Sequence, residues 1–260
     1  MARIAVVGLG NMGGALARGW APRHETHGFD PNPAVRQGLS PTIRLHDTAS
    51  AAAAAAQIVV LAVKPQIVER VVRELRLRPD TTLVSIAAGI PLARLKEWAG
   101  GIPVVRVMPN TPALVGQGVF AICLDDPSLP PEAHTEIPNL VRELGQTHIL
   151  PERLFDAYTG LIGSGPAYVF AFMEALIDAG VLVGIPRPES TAMVRALIQG
   201  SLAMTETPNG HPALLREAVT SPGGTTIAGL AALDAHGLRH AIFEAVRAAT
   251  RRSEELGKGV

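Results

Sequence analysis

The sequence predicts an α/β fold: a doubly wound, mostly parallel sheet at the N-terminal end, followed by an all-helical C-terminal region. Short apolar runs alternate with helical patterns from Ile4 to Leu150. A glycine-rich turn, Gly8-Leu9-Gly10-Asn11-Met12-Gly13-Gly14, joins the first run to the first helical pattern. Beyond residue 151 no strand pattern recurs. Strands interleaved with helices build parallel crossovers, with helices covering both faces of the sheet. The expected domains are therefore residues 1–151, carrying the sheet, and residues 152–260, all helix. A chain of 260 residues exceeds one usual domain and accommodates two.

The first strand is Ile4 to Val7, and the helix after the glycine turn runs through Leu16 and Trp20. In this context Gly8 makes the tight turn, Gly10 lets a pyrophosphate approach the backbone, and Gly13 lets the helix pack closely on the strand. Together with Asn11 and Met12 they form the expected dinucleotide-binding turn. A second strand, about His27 to Asp30, ends on an acidic residue near the position that takes the ribose hydroxyls of NAD. Asp30 before Pro31 also reads as the start of an Asx-turn, and Asn32 and Arg36 lie close enough in sequence to receive a 2′-phosphate instead. The cofactor is thus NADPH or NADH, with a tilt toward accepting NADH.

Alternation continues with a strand at Ile43 to Leu45, an alanine-rich helix at Ala49 to Ala56, a buried strand at Gln57 to Val63 and a helix at Ile67 to Leu75. Then come Thr81 to Ala87 as strand, Pro91 to Trp98 as helix, Val104 to Met108 and Gly118 to Leu124 as strands, Pro130 to Leu144 as helix and Thr147 to Leu150 as a last strand. Open parallel sheets bind ligands outside the carboxyl ends of their strands. That edge receives Ala62-Val63-Lys64-Pro65, Ala87-Ala88-Gly89 and Met108-Pro109-Asn110-Thr111-Pro112. Lys64 is either a ligand-side cation or a snorkelling surface lysine, and Asn110 either a cofactor contact or a turn former between prolines.

In the helical region, Leu154 to Leu161 is one segment, and Gly163-Ser164-Gly165-Pro166 opens a long helix, Ala167 to Val183, with Ser164 as its expected N-cap. Helices follow at Glu189 to Thr205, His211 to Val219 and Leu238 to Leu256. Val169, Phe170, Phe172, Met173, Leu176, Ile177, Val181 and Leu182 spread apolar surface over more than one face of the long helix. A helix apolar nearly all round is buried on several sides, so the chain is expected to form a homo-oligomer, at minimum a homodimer.

Val219 to Leu230, Val-Thr-Ser-Pro-Gly-Gly-Thr-Thr-Ile-Ala-Gly-Leu, runs a glycine corner straight into a helical pattern. Pro222 cannot extend the helix before it, Gly223 and Gly224 allow close approach, and Thr225 or Thr226 can cap the helix after it. The corner is either an ordinary tight turn or an anion site, in which free N–H groups at the helix start hold a carboxylate or phosphate.

Composition narrows the chemistry. Lys plus Arg and Asp plus Glu both number 23, and the basic residues are scattered, which argues against a nucleic-acid or anionic-membrane surface. Cys123 is the only cysteine, so an intramolecular disulfide is excluded and a cytoplasmic setting fits. Arg3 followed by Ile-Ala-Val-Val-Gly is too short and too soon interrupted for a signal peptide or a membrane span. No metal is expected: His236 and His240 are separated by Gly237, and no HExxH occurs. Neither Ser164 nor Ser221 follows a strand as a nucleophile elbow requires, and no Walker lysine follows the glycine turn. Hydride transfer remains, in which the cofactor carries the hard chemistry.

Gly8 to Gly14, Ala62 to Pro65, Val107-Met108-Pro109-Asn110-Thr111-Pro112, Ser164-Gly165-Pro166-Ala167-Tyr168 and above all Thr220 to Leu230 resemble pyrroline-5-carboxylate reductases, over nearly the whole chain and in the right order. The resemblance implies an N-terminal Rossmann domain, a helical dimerisation domain often assembled further into a decamer, and reduction of Δ1-pyrroline-5-carboxylate by NADPH or NADH. It implies that Ser221, Gly223, Gly224 and Thr225 hold the substrate carboxylate, and that the Thr226 hydroxyl bonds the ring nitrogen. Asp30 departs from the family pattern, in which small polar residues commonly receive a 2′-phosphate.

Overall fold

The computed structural model describes residues 1–258. Its strands are β1 (Arg3–Val7), β2 (Glu25–Phe29), β3 (Ile43–Leu45), β4 (Ile58–Leu61), β5 (Thr82–Ser85), β6 (Val104–Met108), β7 (Gly118–Cys123) and β8 (Gly145–Ile149). They form one sheet in the order β3-β2-β1-β4-β5-β6-β7-β8. Every neighbouring pair is parallel except β6 and β7, which run antiparallel through Arg106–Cys123, Val107–Ile122 and Met108–Ala121. The strand order reverses between β1 and β4, which opens a crevice at their carboxyl ends.

Six helices clothe this sheet: α1 (Asn11–Trp20), α2 (Pro33–Gln37), α3 (Ala49–Ala54), α4 (Pro65–Glu74), α5 (Leu92–Ala99) and α6 (Ala133–Arg142). Because both faces are covered, β1 from Ile4 onward and all of β4 read as unbroken apolar runs, and successive residues enter opposite cores. Ile4, Val6, Ile58 and Val60 pack with Leu16, Trp20 and Leu140 on one face. Ala5, Val7, Val59 and Leu61 pack with Ala52, Val68, Leu95 and Trp98 on the other. The Trp20 indole N–H donates to the Leu140 carbonyl at 2.9 Å, so this aromatic ring is buried without an orphaned donor. The short α2, not expected from the sequence, starts at Pro33, and the Asn32 side chain accepts from Ala34 N at 3.0 Å as its cap.

Two polar knots lie inside this unit. Asp126, 1% exposed, pairs with Lys96 and accepts from Val104 N at 2.8 Å, Ser128 N at 2.9 Å and Ser128 Oγ at 2.7 Å. Glu152 accepts from Leu92 N and from the Arg106 guanidinium, each at 2.5 Å, while Arg106 also lies over the Phe155 ring. A buried charge is tolerated only when such partners surround it.

A 3-10 turn (Glu152–Leu154), α7 (Phe155–Tyr158), a π-turn (Thr159–Gly163) and α8 (Gly165–Leu182) follow. The expected long helix does begin directly after Ser164, at Gly165, but Ser164 lacks the extended backbone of an N-cap. Ser164 is in the right-handed helical region as the C-cap of the π-turn, and its N–H donates to the Thr159 carbonyl at 2.9 Å, so helical backbone runs on into α8. Pro166 cannot donate to Ile162, and the π-turn absorbs the break in the ladder. The Ile162 carbonyl instead receives the Asn110 side-chain amide at 3.4 Å. The remaining helices are α9 (Arg187–Thr205), α10 (Pro212–Ala218), α11 (Thr225–Ala235) and α12 (Leu238–Gly257).

The chain divides into two compact units, Met1–Pro166 with the chain from Arg247 onward, and Ala167–Val246. This division falls later than the expected boundary at 151 and returns at the end, for physical reasons. Phe155 and Tyr158 are core side chains of the sheet unit. The far end of α12 also belongs to it: Ser253 Oγ donates to Asp156 Oδ1 at 2.6 Å. Residues 259 and 260 of the expected second domain lie outside the described residues. Among the described residues one helical run, Glu152–Leu182, is long and apolar enough to cross a membrane by length and composition.

Candidate active site

The glycine turn after β1 uses its glycines differently. A Cβ on Gly8, where φ is +94°, would stand 2.6 Å from the Ala62 carbonyl, and one on Gly13 would stand 1.9 Å from the Gly8 carbonyl. These two are required by the protein's own packing. Gly10 is exposed, and a Cβ there would meet nothing within 4 Å, so it borders open space at the crevice. The start of α1, with Gly10 as N-cap, has no side-chain cap and no acidic residue in its first turn. Its N–H groups and dipole suit a pyrophosphate. Asn11 is exposed there, while Met12 packs against the core. The residues present therefore fit a dinucleotide.

Asp30 stands just past β2, beside this turn. Its Oδ2 accepts from Leu9 N at 2.8 Å and its Oδ1 from Asn32 N at 2.9 Å. The second bond is the Asx-turn expected as one reading; the first ties the carboxylate to the glycine turn. Leu9, Gly10 and Asn11 line a hollow together with Arg18, Val35, Gly38 and Leu39. Sequence reasoning missed Arg18 and the two apolar residues; the available signal was Gly14, one helical turn before Arg18 on the same face of α1.

At the ends of β4 and β5 the placement is mixed. Ala62 N donates to the Val7 carbonyl at 2.8 Å, which binds the Ala62-Val63 segment to the end of β1. Lys64 is exposed, at the N-cap of α4, with Pro65 in the first turn. Ala87 is buried and Ala88 half-buried. Gly89, at φ +75°, faces α12: a Cβ there would come within 2.9 Å of Leu256 Cβ. The glycine at 89 answers to close packing by the chain's own last helix. Asn110 is buried, and its Oδ1 accepts from Val119 N at 2.9 Å while its amide reaches Ile162, so its side chain ties the β6–β7 connection to the π-turn.

In the helical unit, the corner before α11 places Gly223 at φ +67° and makes Gly224 the N-cap, with Gly224 N donating to the Ser221 carbonyl at 3.1 Å. The expected threonine cap is thereby corrected. Thr225 and Thr226 already lie inside the first turn, so neither hydroxyl is spent on capping. Ser221, Gly223 and Thr225 are exposed, while Gly224 and Thr226 are half-buried. An uncapped helix start without acidic residues, flanked by hydroxyls, can receive a carboxylate and a hydrogen-bonding partner beside it.

Comparison with known proteins agrees with both halves. The family description "Pyrroline-5-carboxylate reductase dimerisation" matches residues 152–256, and "NADP oxidoreductase coenzyme F420-dependent" matches residues 3–89. The chain is 39% identical to pyrroline-5-carboxylate reductase of Synechocystis sp. over 265 residues, covering 98% of each. It is 35% identical to that of Escherichia coli (strain K12), again covering 98% of each. The crystal structure of a Plasmodium falciparum pyrroline carboxylate reductase with NADP bound superposes with a TM-score of 0.89 at 32% identity, covering 98% of each chain. An eight-stranded, mostly parallel sheet with a nucleotide turn, joined to a helical region of the dimerisation type, is thus accompanied by full-length similarity, and the chain belongs to the pyrroline-5-carboxylate reductase family.

Proposed function

We propose that the chain reduces Δ1-pyrroline-5-carboxylate to L-proline with NAD(P)H, the last step of proline biosynthesis. The observation that carries this reading is the pairing, in one chain, of an open glycine turn at a parallel sheet's crevice with an uncapped helix start bearing two unspent threonines. When bound, reduced nicotinamide supplies the hydride, which goes to the ring carbon of the C=N bond. The sheet unit's part is to hold the dinucleotide at Gly8, Gly10, Asn11, Met12 and Gly13, with Asp30 at the ribose and Ala62 to Pro65, Ala87 to Gly89 and Asn110 along the strand ends. In the helical unit, Ser221, Gly223, Gly224 and Thr225 hold the substrate carboxylate. Thr226 bonds the imine nitrogen and relays a proton to it from water, since a hydroxyl is too weak an acid to act unaided.

Residues 1–151 are the dinucleotide-binding portion in this reading, and residues 152–260 the dimerisation and substrate-binding portion. A homodimer through the helical unit is the minimum assembly, with a decamer as its larger form. A cytoplasmic enzyme that engages neither membrane nor nucleic acid fits a chain with no net charge, and a long helix that carries Glu174 and Asp178 suits a protein partner better than lipid.

The test is oxidation of NADPH and NADH at the nicotinamide absorbance with pyrroline-5-carboxylate supplied and proline identified as product. Thr226→Ala should lower kcat more than it weakens NAD(P)H binding; an unchanged kcat would remove the proposed role, and absence of turnover from folded, cofactor-binding protein would remove the reaction.

A further inference from the structure

We infer that Asp30 makes this chain bind NADH in preference to NADPH, because its carboxylate is pinned in place with two acceptor positions left for the two ribose hydroxyls. The inference rests on the dinucleotide reading of the crevice and adds which form of the cofactor it selects. A carboxylate offers about four lone-pair positions. Asp30 spends one on Leu9 N at 2.8 Å and one on Asn32 N at 2.9 Å, one per oxygen. The remaining two match the 2′- and 3′-hydroxyls of an adenosine ribose, both donors, at the end of β2 beside the glycine turn where that ribose belongs.

Pinning matters more than the charge alone. A carboxylate on a free tether can rotate away from an incoming phosphate. Here rotation would strip the acceptor from the N–H of Leu9, which is 2% exposed, and an unsatisfied buried donor is costly. A 2′-phosphate therefore meets a negative group that cannot retreat, and it finds no hydroxyl proton to donate in return. The cations nearby are not equivalent counterweights. Arg18 on α1 and Arg36 on α2 form no ion pair with any carboxylate among the described residues, and each lines a solvent-open hollow. Long side chains recruited from water contribute little against a fixed charge.

The experiment is equilibrium binding of NADH and of NADPH without substrate, followed by nicotinamide fluorescence, for the full chain and for Asp30→Ser and Asp30→Asn. The wild-type chain should bind NADH at least about tenfold more tightly than NADPH. Both variants should collapse or invert that ratio. Loss of the Leu9 anchor would weaken both cofactors together, so the ratio isolates the ribose role from a merely structural one. A wild-type preference for NADPH, or an unchanged ratio in both variants, overturns the inference. Binding of neither cofactor overturns the dinucleotide reading with it. The expected binding ratio without any proline formation leaves the inference standing and removes the proposed reaction instead.

Discussion

The two units of this chain solve the same problem, hiding apolar side chains, in opposite ways. In the sheet unit Ile4, Val6 and Ile122 are fully buried and Phe120 is 1% exposed. In the helical unit Phe170 is 63% exposed, Leu197 57% and Phe243 54%, and its buried side chains among the described residues are Ser190 and Val194. Residues of like hydrophobicity thus meet different fates within one chain. The sheet unit completes its core from its own sequence; the helical unit presents half a core, which matches its similarity to a dimerisation region. Stability in the first is a property of the chain, and in the second a property of its concentration.

The largest expected effect follows from breaking the incomplete half. Phe170→Glu with Phe243→Glu should give a monomer by sedimentation and abolish turnover, yet leave NADH fluorescence binding to the sheet unit in place; a dimer surviving both charges would refute the comparison. In the complete half, Phe120→Ala should cost about 3–5 kcal/mol in denaturant unfolding. That loss should be the same at every protein concentration, whereas unfolding of the helical unit should move to higher temperature as concentration rises.

A smaller effect comes from acid. Burial alone would raise the Asp126 carboxyl, but the bonds from Lys96, Ser128 and Val104 outweigh it and hold it below the usual carboxylate range. The folded value lies below the unfolded one, so its stabilisation is present at neutral pH and is lost as pH falls below about 4 toward the folded value. Glu143, held down by His24 and Arg23 against the opposing pull of burial, shares this direction. Melting temperature between pH 5 and 2 should fall for the wild type and fall less steeply for Asp126→Asn, which starts lower; parallel curves would show that Asp126 does not contribute. Smallest of all, burial pushes the Cys123 thiol up to about 11, so it should ignore a thiol reagent at neutral pH until the sheet unit is unfolded. Rapid labelling of native protein would show that this core opens locally.

Much of the sheet unit is legible because its signals are local. A strand covered on both faces is an unbroken apolar run, as β4 is, and a nucleotide turn needs glycines at fixed spacing. What escaped notice depends on distant partners. The direction of β7 is set by how the chain returns after Met108, and no residue of β7 encodes it alone. The segment Gly163-Ser164-Gly165-Pro166 has every mark of a helix start, yet Asn110, far away in sequence, helps accommodate the carbonyl that Pro166 cannot serve. At Asp30 the Asx-turn was legible in the Asp-Pro sequence, while the bond from Leu9 N, made across 21 residues, was not. At the α11 corner the glycine and threonine chemistry was readable, but the choice of cap was not, because it turns on backbone angles at Gly224.

The return of α12 to Gly89 alters what the end of this sequence means. A Cβ on Gly257 would stand 2.6 Å from the Gly89 carbonyl, and Ser253 is locked to Asp156. The last turns of α12 are therefore a plug in the first unit, and the helical unit is an insertion in its sequence. During synthesis the nucleotide-binding half stays unfinished until Ser253 to Gly257 have left the ribosome. A frameshift or early stop near Arg247 would therefore damage the oldest-made part of the molecule rather than trim its newest.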